Sequence, residues 1–288
     1  MGAADVVPGV SGGTVALVLG IYTQLIDSVR EGAVALGRLL RADVTGALRA
    51  IRQIDWLFII PLLAGIGLAI VTLAHTIEVL LEEHPVHMSG VFFGLVAGSL
   101  VVTAPLVRRS RGPLVVLAVV AVATFLLLGL RSGPSDDPPL WFVVIAGAIA
   151  ICAMILPGIS GSFLLLMMGM YDFILGAVTD RDLAVIALFG VGAVAGLASF
   201  SSVLHWALNR HTDIVLAGLL GLMAGSLRVL WPWPDGTAGT TLAMPGEPVL
   251  APVLLAIGAC AVVVVIGHLT TGREQRADIV DAPEARIR

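Results

Sequence analysis

Ile155-Leu156-Pro157-Gly158-Ile159-Ser160-Gly161-Ser162 sits inside a largely apolar run that extends from Leu140 to Val178, and its centre is said twice: Pro8-Gly9-Val10-Ser11-Gly12 stands 149 positions earlier in another apolar stretch. Proline brings no backbone N–H and glycine admits positive φ, so each copy interrupts a helix. Hydrocarbon offers no water to the freed backbone groups. An irregular segment at membrane depth therefore survives only where it is buried in protein or lines a cavity. Paired interruptions at corresponding places in two halves of a chain point to the binding site of a transporter.

The composition sets the class. Of 288 residues, 58% are hydrophobic and 12% charged, with a mean hydropathy of +1.02. A soluble domain carries about 25% charged residues, so this is an all-α polytopic membrane protein. All 16 basic residues are arginine, and the net charge of −4 is spread over short loops, which excludes a nucleic-acid partner. Cys152 and Cys260 stand alone in apolar segments and read as small buried hydrophobes, with neither disulfide nor metal spacing. No cleavable signal of the A-x-A type is read.

Residues 6–29 are apolar around the first Pro-Gly turn. Residues 30–55 mix Arg30, Arg38, Arg41, Arg49 and Arg52 with aliphatic residues, the pattern of a helix lying on the membrane surface. Spans of about 20 residues, enough to cross a bilayer, are expected at 56–80, 88–107 and 113–130. After the Pro/Asp-rich loop 131–139, an arm over 140–156 leads into the second turn and an arm over 163–178 leads out. Further spans follow at 183–207, 214–230 and 250–269.

The halves match in two blocks. At the offset of 149, Ser11 pairs with Ser160, Gly20 with Gly169 and Tyr22 with Tyr171. At an offset of 127, Gly94-Leu95-Val96-Ala97-Gly98-Ser99-Leu100 matches Gly221-Leu222-Met223-Ala224-Gly225-Ser226-Leu227, and Pro105 pairs with Pro232. Each half thus reads as a Pro-Gly element followed by three transmembrane helices: 1–130 is the first repeat, 131–270 the second, and 271–288 a polar tail. Only seven residues precede Pro8, against 17 apolar ones before Pro157, so the chain is expected to start late, at an internal Met.

Arginine placement gives orientation. Loop 30–55 is expected in the cytoplasm, 81–87 outside, 108–112 inside and 131–139 outside. If the second element returns to the side it entered from, the arginine-bearing tail is cytoplasmic and the arginine-free loop 231–249 is outside, as the rule requires. A single crossing would reverse both. Length agrees, since 140–178 as one helix would run roughly 58 Å. Each half is therefore expected to open with a re-entrant helical hairpin whose Pro-Gly-x-Ser-Gly turn is its tip. The two hairpins enter from opposite sides, an inverted-topology repeat whose tips meet near the midplane.

Ser11 and Ser160 are expected to cap the helices after the tips. Those helix starts present N–H groups and partial positive charge to an anion. The candidate site comprises Pro8, Gly9, Ser11, Gly12, Gly13 and Thr14 in the first copy, and Pro157, Gly158, Ser160, Gly161 and Ser162 in the second. A structural kink with each Ser satisfying its own helix is the other reading. Asp5 precedes the first tip where the second half has Met154, and it is the candidate for coupling to a proton or cation. Arg228 either binds an anion near the outer face or snorkels to the interface beside Trp231 and Trp233. Tyr22 and Tyr171 face a cavity or pack in the core. Asp27 and Asp172 read as interfacial. His75, Glu78, His205 and His268 lie near span ends without metal-ligand spacing. The Gly-rich Ala-Gly-Ser-Leu helices are expected to pack closely through small residues. Zinc-protease and Walker patterns are missing from the sequence, so no enzyme, cofactor or metal is expected.

Ala3-Ala4-Asp5-Val6-Val7-Pro8-Gly9-Val10-Ser11-Gly12-Gly13-Thr14 with Gly20-Ile21-Tyr22 resembles the opening signature of the family called domain of unknown function 368. Met154–Ser162 and Gly225–Trp233 are similar to its later motifs, and the resemblance covers about residues 3–270. It implies a transporter or flippase that moves undecaprenyl phosphate, a polyprenyl phosphate lipid, from the outer to the inner leaflet of the bacterial cytoplasmic (inner) membrane. That movement recycles the carrier lipid for cell-envelope and peptidoglycan synthesis; coupling to protons or sodium is an expectation that rests on Asp5 rather than on the resemblance. A secondary transporter of a small soluble anion and a membrane scaffold for envelope enzymes are the alternatives.

Overall fold

The computed structural model describes residues 1–5, 11–130, 138–234 and 242–270. Expectations placed on Pro8, Gly9, the loop 131–137 with Arg131, residues 235–241 and the tail 271–288 lie outside the described residues, as does the side chain of Asp5. Among the described residues the protein is all-helical, with no strand. Its helices are α1 (Gly2–Asp5), α2 (Gly12–Val18), α3 (Tyr22–Leu40), α4 (Val44–Gln53), α5 (Trp56–Glu83), α6 (Pro85–Thr103), α7 (Arg111–Leu127), α8 (Leu140–Ile155), α9 (Gly161–Met167), α10 (Tyr171–Thr179), α11 (Leu183–Arg210), α12 (Thr212–Ser226) and α13 (Leu250–Thr270).

Four of these are long and apolar enough to cross a membrane: α5, α6, α11 and α13. The bent pair α9–α10 makes a fifth if it counts as one span. This is a multi-pass membrane protein. α5 has no buried residue between Trp56 and Leu73.

Equivalent local chemistry recurs in the two halves. α5 and α11 both run 28 residues. Asp55 starts α5 by accepting from the Phe58 N–H, and Asp182 starts α11 by accepting from Ala184 and Val185. Each is closed by a histidine in the same backbone conformation, His84 (φ −135°, ψ 51°) and His211 (φ −140°, ψ 49°), from which α6 and α12 begin. After α2, Gly20 adopts φ +71° and donates to Leu17 O, while Ile21 N–H reaches Ala16 O. After α9, Gly169 at φ +68° donates to Leu166 O and Met170 N–H reaches Leu165 O. Both are Schellman endings, which need a left-handed residue after the cap and so select glycine.

The same turn corrects the expected outgoing arm. Residues 163–178 are not one helix: α9 and α10 meet at 112°. Glycine is neutral in a hydropathy profile, so the apolar run continues where the backbone does not. The expected surface helix over 30–55 is two helices, since α3 continues from Tyr22 to Leu40 and α4 follows after Ala42 at φ +58°. Asp43 caps α4 through the Gly46 N–H, and Arg38 donates to Gly46 O, which fixes α4 on α3. α7 and α12 stop short of the expected 130 and 230, at 17 and 15 residues. α12 gives way to turns before Trp231-Pro232, because the residue preceding proline is disfavoured in helix.

The most extensive pairings join helices from different halves of the chain: α6 with α13 and α7 with α12. α8 packs in the same manner on α11. Small residues make the contacts. A Cβ at Gly98 would lie 2.8 Å from Cys260 O, and one at Gly225 2.7 Å from Ala121 O. Gly94 faces Ala256, and Gly192 faces Val144. These are the close small-residue contacts the Ala-Gly-Ser-Leu blocks predict. The central core gathers Tyr22, Ile26, Val96, Leu216, Leu220 and Met223 around α2 and the end of α8.

Candidate functional site

A helix ends with carbonyl groups that have no partner within it. In α8 the Leu156 N–H takes Cys152 O and Ala153 O. The next two carbonyls are met by hydroxyls from the first Pro-Gly element. Ser11 donates to Met154 O at 3.1 Å, and Tyr22 donates to Ile155 O at 3.3 Å. A third bond runs the other way, from the Gly158 N–H to Thr14 Oγ1 at 2.9 Å. Side chains of the first element thus hold the backbone of the second across more than 130 positions of sequence.

Glycines make the approach possible. A Cβ on Gly13 would lie 2.5 Å from Ile155 O. Gly158 has φ +82°, and a Cβ there would lie 2.6 Å from Met223 Cα on α12. Gly161 rests against Ala150 O at 2.5 Å in the same sense. Pro157 is fully buried, and Ser11, Thr14 and Ser160 are buried with it.

Ser11 caps α2 as expected, accepting from the Gly13 N–H at 3.1 Å. Ser160 corrects the expectation: it occupies the N-cap position of α9 without a side-chain cap bond, and its Oγ pairs with Ser162 Oγ at 2.8 Å. Ser162 sits two residues on with a competing hydroxyl, whereas the equivalent Gly13 has none. The tyrosines also part company. Tyr22 is 2% exposed and bonded, while Tyr171 is 37% exposed.

Arg228 stands apart from this crossing. Its guanidinium lies 4.8 Å over the Phe125 ring and against Gly129, where a Cβ would come within 2.5 Å of it. It faces a cavity of about 600 Å³ walled by Phe93, Leu227, Trp231 and Met244, whose lining includes none of the tip residues. A cation with an aromatic face behind it and apolar walls around it suits an amphipathic anion. Gly12 opens α2 and lies buried between Ser11 and Gly13.

Residues 1–246 match the family described as undecaprenyl phosphate translocase-like. The chain belongs to that family. It is 44% identical over 237 residues to a protein of Vibrio cholerae named polyprenyl-phosphate transporter, covering 82% of this chain and 76% of that relative. A protein of the same name from Staphylococcus aureus is 30% identical over 250 residues, covering 81% of this chain and 83% of the relative. No solved structure matches the chain.

This member of the translocase-like family also holds a polar pair that the sequence reading left apart. His205 Nδ1 on α11 meets Asp27 Oδ1 on α3 at 2.6 Å, and the Asn209 amide lies 3.0 Å from His205 Nε2. Asp27 further borders a polar cleft of about 270 Å³ shared with Gln24, Glu31 and Asp55. No local signal connects two residues 178 positions apart. A polar face shared by 24, 27, 28 and 31 on α3 was the available hint. His75 and Glu78 form an exposed contact of 4.0 Å on α5. Among the described residues no group of metal-ligating side chains comes together.

Proposed function

We propose that this chain moves polyprenyl phosphate across the bacterial cytoplasmic membrane, carrying undecaprenyl phosphate from the outer to the inner leaflet to recycle the carrier lipid. The observation that carries the reading is the meeting of Ser11, Thr14 and Tyr22 with the backbone of Met154, Gly158 and Ile155, where paired polar groups flank the second Pro-Gly break inside an apolar protein. The names of the two relatives support polyprenyl phosphate as the cargo.

In this reading residues 1–130 and 131–270 are inverted repeats, each beginning with a re-entrant hairpin. Loop 30–55 and the tail 271–288 face the cytoplasm. The matched caps at Asp55 and Asp182 and the matched turns at Gly20 and Gly169 support the duplication. The tips, Pro8–Thr14 and Pro157–Ser162, receive the phosphate. A charged head is costly in hydrocarbon, and N–H and O–H donors that bond a phosphate offset part of that cost because charge-assisted bonds are stronger than neutral ones. The Ser160–Ser162 hydroxyl pair supplies donors, and a phosphate oxygen competes with Thr14 for the Gly158 N–H. Arg228 draws the head group into the outer entrance. Tyr22 and Tyr171 are further candidates to meet the head group as the tips open to one leaflet and then the other. Asp5 is the coupling candidate for a proton or sodium ion.

The test is transbilayer exchange in proteoliposomes with three solutes: labelled undecaprenyl phosphate, the corresponding alcohol, and inorganic phosphate. Protein-dependent exchange of the lipid phosphate alone is the expected result. Uptake of inorganic phosphate without lipid exchange would replace this reading with a soluble-anion transporter. Exchange of neither would leave a scaffold.

A further inference from the structure

Beside α2 lies a cavity of about 350 Å³, within the range of small-molecule sites. Its lining is apolar, contributed by Met1 and by α1, α2, α5, α6 and α13, with Thr14 and Ser99 as the polar residues in the wall. Thr14 is the residue that accepts the Gly158 N–H, so the polar end of the cavity adjoins the crossing of the two tips. At the rim, Leu19 and Ile266 are 39% and 45% exposed on the lipid-facing side of the protein. The cavity therefore runs from the apolar outside of the protein to the polar crossing.

The internal repeat identifies what is unusual about it. The lining residues Thr14, Val15, Val18 and Val96 have counterparts in the second half at the offsets of 149 and 127: Phe163, Leu164, Met167 and Met223. Every one of these four is larger, while Leu95 and Ser99 meet the same residue types at Leu222 and Ser226 and Phe92 has a smaller counterpart, Leu219. Phe163 and Met223 are 3% and 0% exposed, and Phe163 packs with Leu128 and Val229, with Leu164 and Met167 against them. The second half buries larger side chains where the first half has Thr14, Val15, Val18 and Val96. An empty apolar space forfeits dispersion contacts, so a space held open by four small residues is built for an apolar guest.

We propose that this cavity is the seat of the isoprenoid tail of the transported lipid, holding the units next to the phosphate while the head group lies at the tip crossing. This rests on the polyprenyl phosphate reading above. The occupant is a polyprenyl chain rather than a bilayer acyl chain because the polar end leads to the phosphate-binding tips. A lipid whose head stays at the membrane surface cannot reach them. The small residues of the wall, Thr14, Val15, Val18 and Val96, belong to the first half, with Val263 and Ile266 of α13 closing it, so tail recognition is asymmetric although the tips are paired.

The experiment fills the cavity with the second half's own residues. Val15→Leu, Val18→Met and Val96→Met are made singly and together in the full chain. Each is followed in proteoliposomes by exchange of undecaprenyl phosphate and of a phosphate lipid with a tail of only two isoprene units. The combined variant is expected to lower exchange of both lipids about tenfold or more, because both carry the isoprene units next to the phosphate. Its melting temperature should be unchanged or raised, since the added methylenes enter existing space. In parallel, undecaprenyl phosphate with a diazirine in its first isoprene units is photolysed on the unmutated protein. The label is expected on the α2 and α6 peptides containing Val18 and Val96, and a diazirine phospholipid should not compete for it. Exchange of both lipids by the filled variant at the unmutated rate, label on other helices, or equal labelling by the phospholipid would each overturn the proposal. If the unmutated protein exchanges no polyprenyl phosphate at all, the transport reading itself fails. If it does exchange and the filled variant matches it, only the tail seat fails. The single Val15→Leu change covers the case in which the combined variant does not fold.

Discussion

Tyr22 and Tyr171 occupy the same place in the internal repeat and have different work. Tyr22 donates to a carbonyl that α8 leaves unpaired at its end, whereas Tyr171 stands 37% exposed. Removing the Tyr22 hydroxyl strands Ile155 O in an apolar interior, and a buried acceptor left unsatisfied costs about 1–3 kcal/mol. Tyr22→Phe is expected to lower the melting temperature in detergent by several degrees, while Tyr171→Phe changes stability by less than about 0.5 kcal/mol. Equal shifts for the two would contradict this account of the crossing. Gly158 is constrained twice, by φ +82° and by Met223 at its back. Gly158→Ala is expected to cost at least as much as the left-handed strain of an L-residue, about 1–2 kcal/mol, and to reduce folded yield on size exclusion.

At the scale of elements, small residues decide which helices touch. Gly192 lies against Val144 so closely that a larger residue must separate α11 from α8. Gly192→Leu is expected to abolish that pairing and lower the folded yield. Gly218, with open space at its Cβ position, tolerates Ala with less than about 1 kcal/mol of change. The Asp27–His205 contact joins α3 to α11, and both side chains retain solvent exposure, 42% and 19%. A double-mutant cycle on Asp27→Ala and His205→Ala is therefore expected to give a modest coupling of about 0.5–1 kcal/mol. Zero coupling would make the contact incidental. Four of the apolar spans, the break at Pro157-Gly158 and the close-packed Ala-Gly-Ser-Leu helices were legible in the sequence because each depends on local residue type and spacing. The 112° turn between α9 and α10 was half legible: Gly169 was matched to Gly20, yet the hydropathy of the run concealed the break. The Ser160–Ser162 pairing was missed because a serine before a helix reads as a cap until a nearer hydroxyl competes for it. The Asp27–His205 pair was illegible because only the tertiary fold brings those positions together.

For the whole molecule, the duplicated sequence does not fold into two equivalent halves. Side chains of the first Pro-Gly element hold the backbone of the second through Ser11, Thr14 and Tyr22, while Ser160 is occupied with Ser162 and Phe163 replaces the hydroxyl of Thr14. The open cavity beside α2 and the filled core around Phe163 carry the same asymmetry into the apolar packing. The proposed transport account places the lipid phosphate where Thr14 now accepts the Gly158 N–H. Labelling proline carbonyls with ¹³C and glycine amides with ¹⁵N isolates the Pro-Gly peptide bonds, those of Gly9, Gly158 and Gly246. The most direct measurement follows the Gly158 amide resonance as undecaprenyl phosphate or undecaprenol is added to the protein in bilayers, with Gly246 as the internal reference. The account predicts a downfield shift of the Gly158 amide proton with the phosphate and none with the alcohol. A Gly158 amide that stays unmoved while the same preparation exchanges the lipid phosphate would contradict it.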